Sequence, residues 1–363
     1  MGGFLQSEKP GQAAFKSGSR YFSDEARLDG SYKEKWHAYC LPVEYAEQTL
    51  ASEIREAAMA YFAKHQIKWH DGVDGKPSNH LCDSQVCCVN FLFPFADQPQ
   101  ALAKVLRRVF PDIKQMLPVE DGRYVSFEWI GAKNYLHERI SRSGLRTRGA
   151  NFTSADAIVM FERKDKKRQI VLIEWKYTES YSGTSLKFSK SGTDRTGIYR
   201  HLWDAADCPL DKELLPGGFD ALFYNPFDQL MRQQFLAHEM EKAHELGAQV
   251  VSLLHISPAA NDDFRRVTSA ALESLDVTAM GVWKKLVKEQ DRFVSVSSEE
   301  LFGRITAQDL PEMKTWVEYI HARYAWLKES DLNPADAAPP SEPASSANAV
   351  KIVKSEDDFA ELE

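Results

Sequence analysis

The sequence predicts an α/β fold, a sheet with helices on its faces, and three observations lead there. Two short runs rich in Val and Ile, Ala155 to Phe161 and Ile170 to Tyr177, are separated by a charged turn from Arg163 to Arg168, which is the pattern of a β-hairpin. A segment free of Gly and Pro, Phe227 to Leu246, begins just after Pro226 and stops at Gly247, as a helix does. The apolar run Ala248 to Ile256 follows at once and is ended by Ser257-Pro258, which reads as a buried strand.

The hairpin carries the chemistry. Side chains alternate along a strand, so Glu174 and Lys176 project from one face while Ile173, Trp175 and Tyr177 project from the other. If Asp156 lies across the hairpin, two carboxylates and an ammonium surround one point. Magnesium takes oxygen ligands, keeps several waters, and is commonly held by one or two carboxylates plus phosphate oxygens. A fixed Lys then orients the attacking water or stabilises charge growing on the phosphate. The alternative is a surface ion pair at a strand end with Asp156 as a turn residue. An Asp followed downstream by Glu-x-Lys is a weak pattern alone. Its two halves sit here on adjacent strands with apolar leads, which favours the catalytic reading.

These residues resemble the PD-(D/E)XK phosphodiesterases, the restriction-endonuclease-like superfamily, with Asp156 and Glu174-Trp175-Lys176 as the motif. The runs Arg148 to Asp156, Glu174 to Tyr181 and Ser84 to Leu92, with the helix around Gln229 to Ala237, are similar to a group of bacterial restriction endonucleases. Ala155 stands where the superfamily pattern has proline, a position that is not a ligand.

The resemblance implies an αβββαβ core, a mixed sheet flanked by helices, with helical embellishments at both ends. Ala132 to Ser143 would be the first helix and Arg146 to Thr153 the first strand. It implies Asp156 and Glu174 as metal ligands, Mg2+ as the metal with Mn2+ able to substitute, and Lys176 as the residue assisting water. Glu138, on the expected first helix, would be a further metal or metal-water ligand, or else an i,i+4 partner of Arg142. Gln234 falls on the apolar stripe of Phe227, Leu230, Met231 and Phe235, so it should point inward. There it would support Lys176 or a metal-bound water, or simply bond core backbone.

Composition narrows the setting. No run approaches the roughly 20 apolar residues that span a bilayer, and the polar, Gly-rich start lacks a signal-peptide core, so a cytoplasmic location is expected. Five cysteines, with Cys87 and Cys88 adjacent, do not suggest a disulfide framework. His80-x-Cys82 with Cys87-Cys88, His37 and Cys40 lacks the paired spacing of zinc sites. The net charge of −8 is uneven: Lys133 to Arg200 holds 15 Lys and Arg against 7 Asp and Glu, whereas Ser330 onward holds eight acids and two lysines. The basic surplus surrounds the expected catalytic strands, where phosphate contacts belong. Between Thr178 and Asn225, Lys187, Lys190, Arg195 and Arg200 are interspersed with Tyr181, Phe188, Tyr199 and Trp203, a composition suited to wrapping and stacking on a nucleic acid.

The expected organisation is an extension over 1–44, a mainly helical region over 45–131, a nuclease core over 132–329 with an insertion at 178–225, and an acidic disordered tail over 330–363. Tyr45 to Lys64 and Lys314 to Lys328 read as helices, Phe110 to Gly122 as a loop or short helix, and Asp263 to Leu301 as a helix and a short strand or turn. The expected function is metal-dependent cleavage of nucleic acid, DNA foremost, in restriction or phage defence, with a homodimer left open. The contending function is a non-catalytic nucleic-acid-binding or assembly protein on the same fold.

Overall fold

The computed structural model describes residues 3–331 except 139, 141–145, 151, 190 and 191. In chain order the helices are α1 (Gly3–Gly18), α2 (Arg55–Lys64), α3 (Ser84–Leu92), α4 (Pro99–Leu106), α5 (Thr196–Asp204), α6 (Phe227–Lys242), α7 (Ala279–Leu286) and α8 (Lys314–Arg323). The strands are β1 (Gly30–Tyr32), β2 (Lys35–His37), β3 (Ile113–Leu117), β4 (Val125–Trp129), β5 (Ala155–Arg163), β6 (Arg168–Trp175), β7 (Val250–Ser257) and β8 (Phe293–Ser297).

β5 and β6 form the expected antiparallel hairpin, in register from Ala157 opposite Ile173 to Glu162 opposite Arg168. One edge of β5 is shared by two short strands: β3 pairs with its far half and β4 with its near half. On the other side β7 runs parallel to β6 and β8 parallel to β7. Parallel neighbours need a crossover connection, which α6 provides between β6 and β7. The result is a six-stranded mixed sheet flanked by helices, compatible with a restriction-endonuclease-like core. All eight residues of β7 are buried, the signature of a strand covered on both faces.

The two faces bury separate apolar cores. Val171, Ile173, Trp175 and Tyr177 pack with α3, α4 and α8, while Ile170 and Leu172 pack with α5, α6 and α7. Glu174 and Lys176 therefore follow Ile170 and Leu172 on the α6 side, and the alternation read from the sequence holds.

Several sequence expectations are corrected. Phe110 to Gly122 contains β3, an edge strand whose residues Lys114 and Gln115 face solvent, so it lacks a clear apolar period. The sheet thus begins well before residue 132. Arg146 to Thr153 forms no strand among its described residues, and β4 takes that place. The described part of Ala132 to Ser143 is turn rather than helix, and the remainder of that segment lies outside the described residues. There the Asn134 side chain donates to Glu138 O at 2.7 Å and accepts from Glu138 N at 3.1 Å, closing a turn in place of helical bonds.

The helix expected over Tyr45 to Lys64 breaks before Arg55. Buried Asn90 accepts from Ala51 N at 2.8 Å and donates to Thr49 O at 3.0 Å, taking the backbone groups that would have continued it. Nor is the N-terminal segment an appendage. Gln12 of α1 donates to Tyr177 Oη at 3.1 Å and to Arg323 O at 3.2 Å.

Candidate active site

The registers of the sheet align one row of polar residues. The β5–β6 pairing, continued one step past Ala157 and Ile173, sets Asp156 opposite Glu174. The β4–β5 pairing sets Glu128 opposite Asp156, between the pairs Phe127–Ala157 and Trp129–Ala155. Across the parallel side Glu174 stands beside His255. Glu128, Asp156, Glu174 and His255 thus come from four adjacent strands, and all but Asp156 are at least nine-tenths buried.

The three motif residues meet. Asp156 Oδ2 accepts the Trp175 backbone N–H at 2.7 Å, the amide between the other two motif residues. Lys176 Nζ lies 2.5 Å from Glu174 Oε1, with both side chains almost wholly buried. Burial, then the charge of Glu174, pushes the Asp156 carboxyl well above the ordinary carboxylate range, and Lys176 offsets only part of this. For Lys176, burial acts to lower the pKa, but Glu174, Tyr181, Glu179 and Asp156 hold it well above the usual lysine value. The carboxylates around Lys176 thus favour its ammonium form, and a divalent cation would offset the repulsion between Asp156 and Glu174.

Four further residues complete the surroundings; sequence reasoning missed Gln233, Glu128 and His255, and read Tyr181 as a stacking residue of the insertion. Gln233 of α6 donates to Ser154 O at 3.2 Å and also to Glu174 Oε2. Glu128 accepts from Gln85 Nε2 at 2.7 Å and from Ser154 Oγ at 2.8 Å, and its φ of 49° is rare for a side-chain-bearing residue in a strand. His255 has no hydrogen-bond partner on either ring nitrogen among the described residues. Burial, with Lys176 nearby, pushes its pKa down to about 3, so the ring is neutral. Tyr181 donates to Gln229 Oε1 at 3.0 Å and adjoins Lys176. A polar residue within an apolar strand run was the available signal for His255. No such signal marked Glu128, because the strand carrying it was not recognised.

The two weaker candidates have other partners. Glu138 accepts from Thr153 N at 2.8 Å, Thr153 Oγ1 at 2.6 Å and Tyr199 Oη at 3.0 Å. Its carboxylate is engaged in holding the chain three residues ahead of Asp156. Gln234 is buried, as its position on the stripe predicts, yet it lines a separate cavity of about 280 Å³ with Asp207, His238 and Arg292. The amide that reaches the site is its neighbour Gln233. α6 is buried around most of its circumference, so a single stripe does not identify the site-facing side.

The insertion is less open than its composition suggested. Tyr199 and Trp203 are buried on α5, Arg195 is held by Asp228 at 3.1 Å, and Lys187 by Asp220 at 2.8 Å. Phe188 remains 59% exposed. Lys190 lies outside the described residues.

Among the described residues no three His, Cys, Asp or Glu side chains are gathered so that they could hold a metal ion. Two carboxylates with the remaining positions left to water and phosphate oxygen is the donor set magnesium ordinarily accepts, so Asp156 and Glu174 fit. The five cysteines are all buried and free. No helix of the described residues is long and apolar enough to cross a membrane.

No curated protein and no solved structure matches the chain. Residues 12–325 match the family described as Restriction Endonuclease associating with ARP. That match runs from within α1 to just beyond α8, most of the 363 residues, and the chain belongs to this family of restriction endonucleases associating with ARP.

Proposed function

We propose that the protein is a metal-dependent nuclease that hydrolyses phosphodiester bonds in nucleic acid, with DNA as the substrate and restriction or phage defence as the setting. The observation that carries this reading is the convergence of Asp156, Glu174 and Lys176 at one end of the sheet. Membership of a restriction-endonuclease family supports it.

Asp156 and Glu174 would hold the divalent cation, Mg2+ or Mn2+, which when bound supplies Lewis-acid polarisation of the phosphoryl oxygen. Lys176, whose ammonium form the surrounding carboxylates favour, orients the attacking water and stabilises the charge that accumulates on the phosphate. Gln233 fixes the Glu174 carboxylate from the α6 side, and Asp156 fixes the Trp175 peptide from the β5 side. Glu138 supports the chain ahead of Asp156 rather than the metal itself. The intact set of acid, acid and lysine favours catalysis over a purely binding role, because buried acids repel phosphate unless a cation intervenes. The family description also names an association with ARP, and we carry that to this chain as a proposed partner.

Titration of Mn2+ into the full-length protein tests the metal site. Wild type is expected to bind and Asp156→Asn to lose binding while staying folded. Equal binding by both proteins would refute the assignment.

A further inference from the structure

The β1–β2 hairpin is small, exposed and firmly rooted, and it belongs to neither core. Its two central residues, Lys33 and Glu34, both have positive φ, 48° and 62°. That is the tight turn which Asn-Gly or Gly-Gly forms most easily. Here it carries two long charged side chains instead. Trp36 on β2 is 71% exposed, and Lys33 and Lys35 are exposed beside it. Trp36 follows Lys35 directly and pairs with Ser31 across the hairpin, so its exposed ring offers a flat aromatic face next to positive charge.

The hairpin is held so that it cannot swing away. A Cβ on Gly30 would meet Leu41 O at 1.9 Å, and Asn79 donates to Ser31 O at 3.0 Å and Leu41 O at 2.6 Å. Its inner face rests on His80, whose ring lies 4.9 Å from Tyr32 and 5.0 Å from Tyr39. His37 stacks on Tyr39 at 4.8 Å, and Lys9 lies 5.1 Å over the same ring.

Two tethers connect this platform to the catalytic end of the sheet. Two residues from His80, the Cys82 carbonyl accepts from Thr178 Oγ1 at 2.9 Å, and Thr178 is two residues past Lys176. On the other flank Tyr32 donates to Asp71, and the adjacent His70 lies 3.8 Å from Glu128. These contacts link the platform under the hairpin to Thr178 and to Glu128, the residue opposite Asp156.

We propose that the hairpin is a nucleic-acid-binding arm, with Trp36 stacking on an unpaired base and Lys33, Lys35 and Lys9 contacting the phosphates beside it. This inference rests on the nuclease reading for the substrate class. An aromatic face stacks on any base, so the arm gives affinity for a single-stranded segment without sequence preference. The lysines supply the salt-dependent part. Glu34 is in the turn itself, and Asp71 and Asp83 lie close enough to act on Tyr32, which donates to Asp71.

The test uses the full chain, a fluorescein-labelled single-stranded 20-mer with Ca2+ in place of Mg2+, and three proteins: wild type, Trp36→Ala and the pair Lys33→Ala, Lys35→Ala. Trp36→Ala is expected to weaken binding about tenfold. The lysine pair is expected to weaken it and to reduce the salt dependence by about two counterions. All three should hydrolyse bis(p-nitrophenyl) phosphate equally, a diester too small to reach the arm. If wild type binds the strand and the variants bind it equally well, the arm is refuted while the nuclease reading stands. If binding depends on Trp36 but no protein cuts either substrate, the arm stands and the nuclease reading falls. Loss of a protein partner on Trp36→Ala with unchanged DNA binding would make the hairpin a protein interface and overturn the proposal. So would a wild type that binds no strand at all.

Discussion

Asp156 and Trp175 are joined side chain to backbone: the Asp156 carboxylate accepts the Trp175 N–H at 2.7 Å, from the peptide that joins Glu174 to Trp175. One acid thus fixes the strand that presents the other acid and the lysine. Asp156→Asn keeps an oxygen for that amide, so it should abolish cleavage with little loss of stability. Asp156→Ala leaves a buried N–H unpaired and should cost about 1–3 kcal/mol more. Urea unfolding of the two variants separates these effects.

Gln233 and Gln234 are neighbours with different duties. Gln233→Ala removes the donor to Glu174 and should lower cleavage roughly 10–100-fold, the usual effect of losing a group that orients a ligand. Gln234→Ala should leave cleavage unchanged, since that side chain lines a different cavity. Parallel rate measurements on matched protein preparations decide it.

Glu128 bridges three elements by accepting from Gln85 and Ser154 while lying opposite Asp156. Glu128→Ala leaves both donors without their partner and should destabilise by about 1–3 kcal/mol. Glu128→Gln keeps an acceptor and removes the charge that helps to raise Asp156. It should therefore retain most of the stability, which thermal unfolding at pH 7 would establish.

His80 predicts an acid limb of stability. Burial, then Lys9 and His37, pushes its pKa down to about 4, and its Nδ1 accepts the Cys82 amide at 3.1 Å, which requires the neutral ring. The unfolded chain has the ordinary value near 6.5 and binds more protons between those pH values. Stability from this group is therefore complete above about pH 6.5 and is lost as the pH falls toward 4. His80→Gln should flatten that part of the profile in urea titrations at pH 7.5 and 5.0.

The sequence showed the hairpin, the α6–β7 crossover and the three motif residues because each rests on local pattern: alternation, helix stops, and charge at the end of an apolar run. What it hid depends on distant partners. β4 is an edge strand whose Glu128 has no periodic signature, and its place beside β5 is set by pairing across 25 intervening residues. The turn at Asn134 and the break before Arg55 are made by single amides, Asn134 and Asn90, outcompeting helical backbone bonds. Gln233 was passed over for Gln234 because a helix buried on most sides offers no single inward stripe.

The central claim is tested most directly by Mg2+- or Mn2+-dependent cleavage of circular and linear DNA, single- and double-stranded, by wild type and Lys176→Ala. The account predicts cutting by wild type, including closed circles, and none by the folded mutant. Cleavage that persists in Lys176→Ala, or a wild type that binds DNA and cuts nothing under any of these conditions, would contradict it.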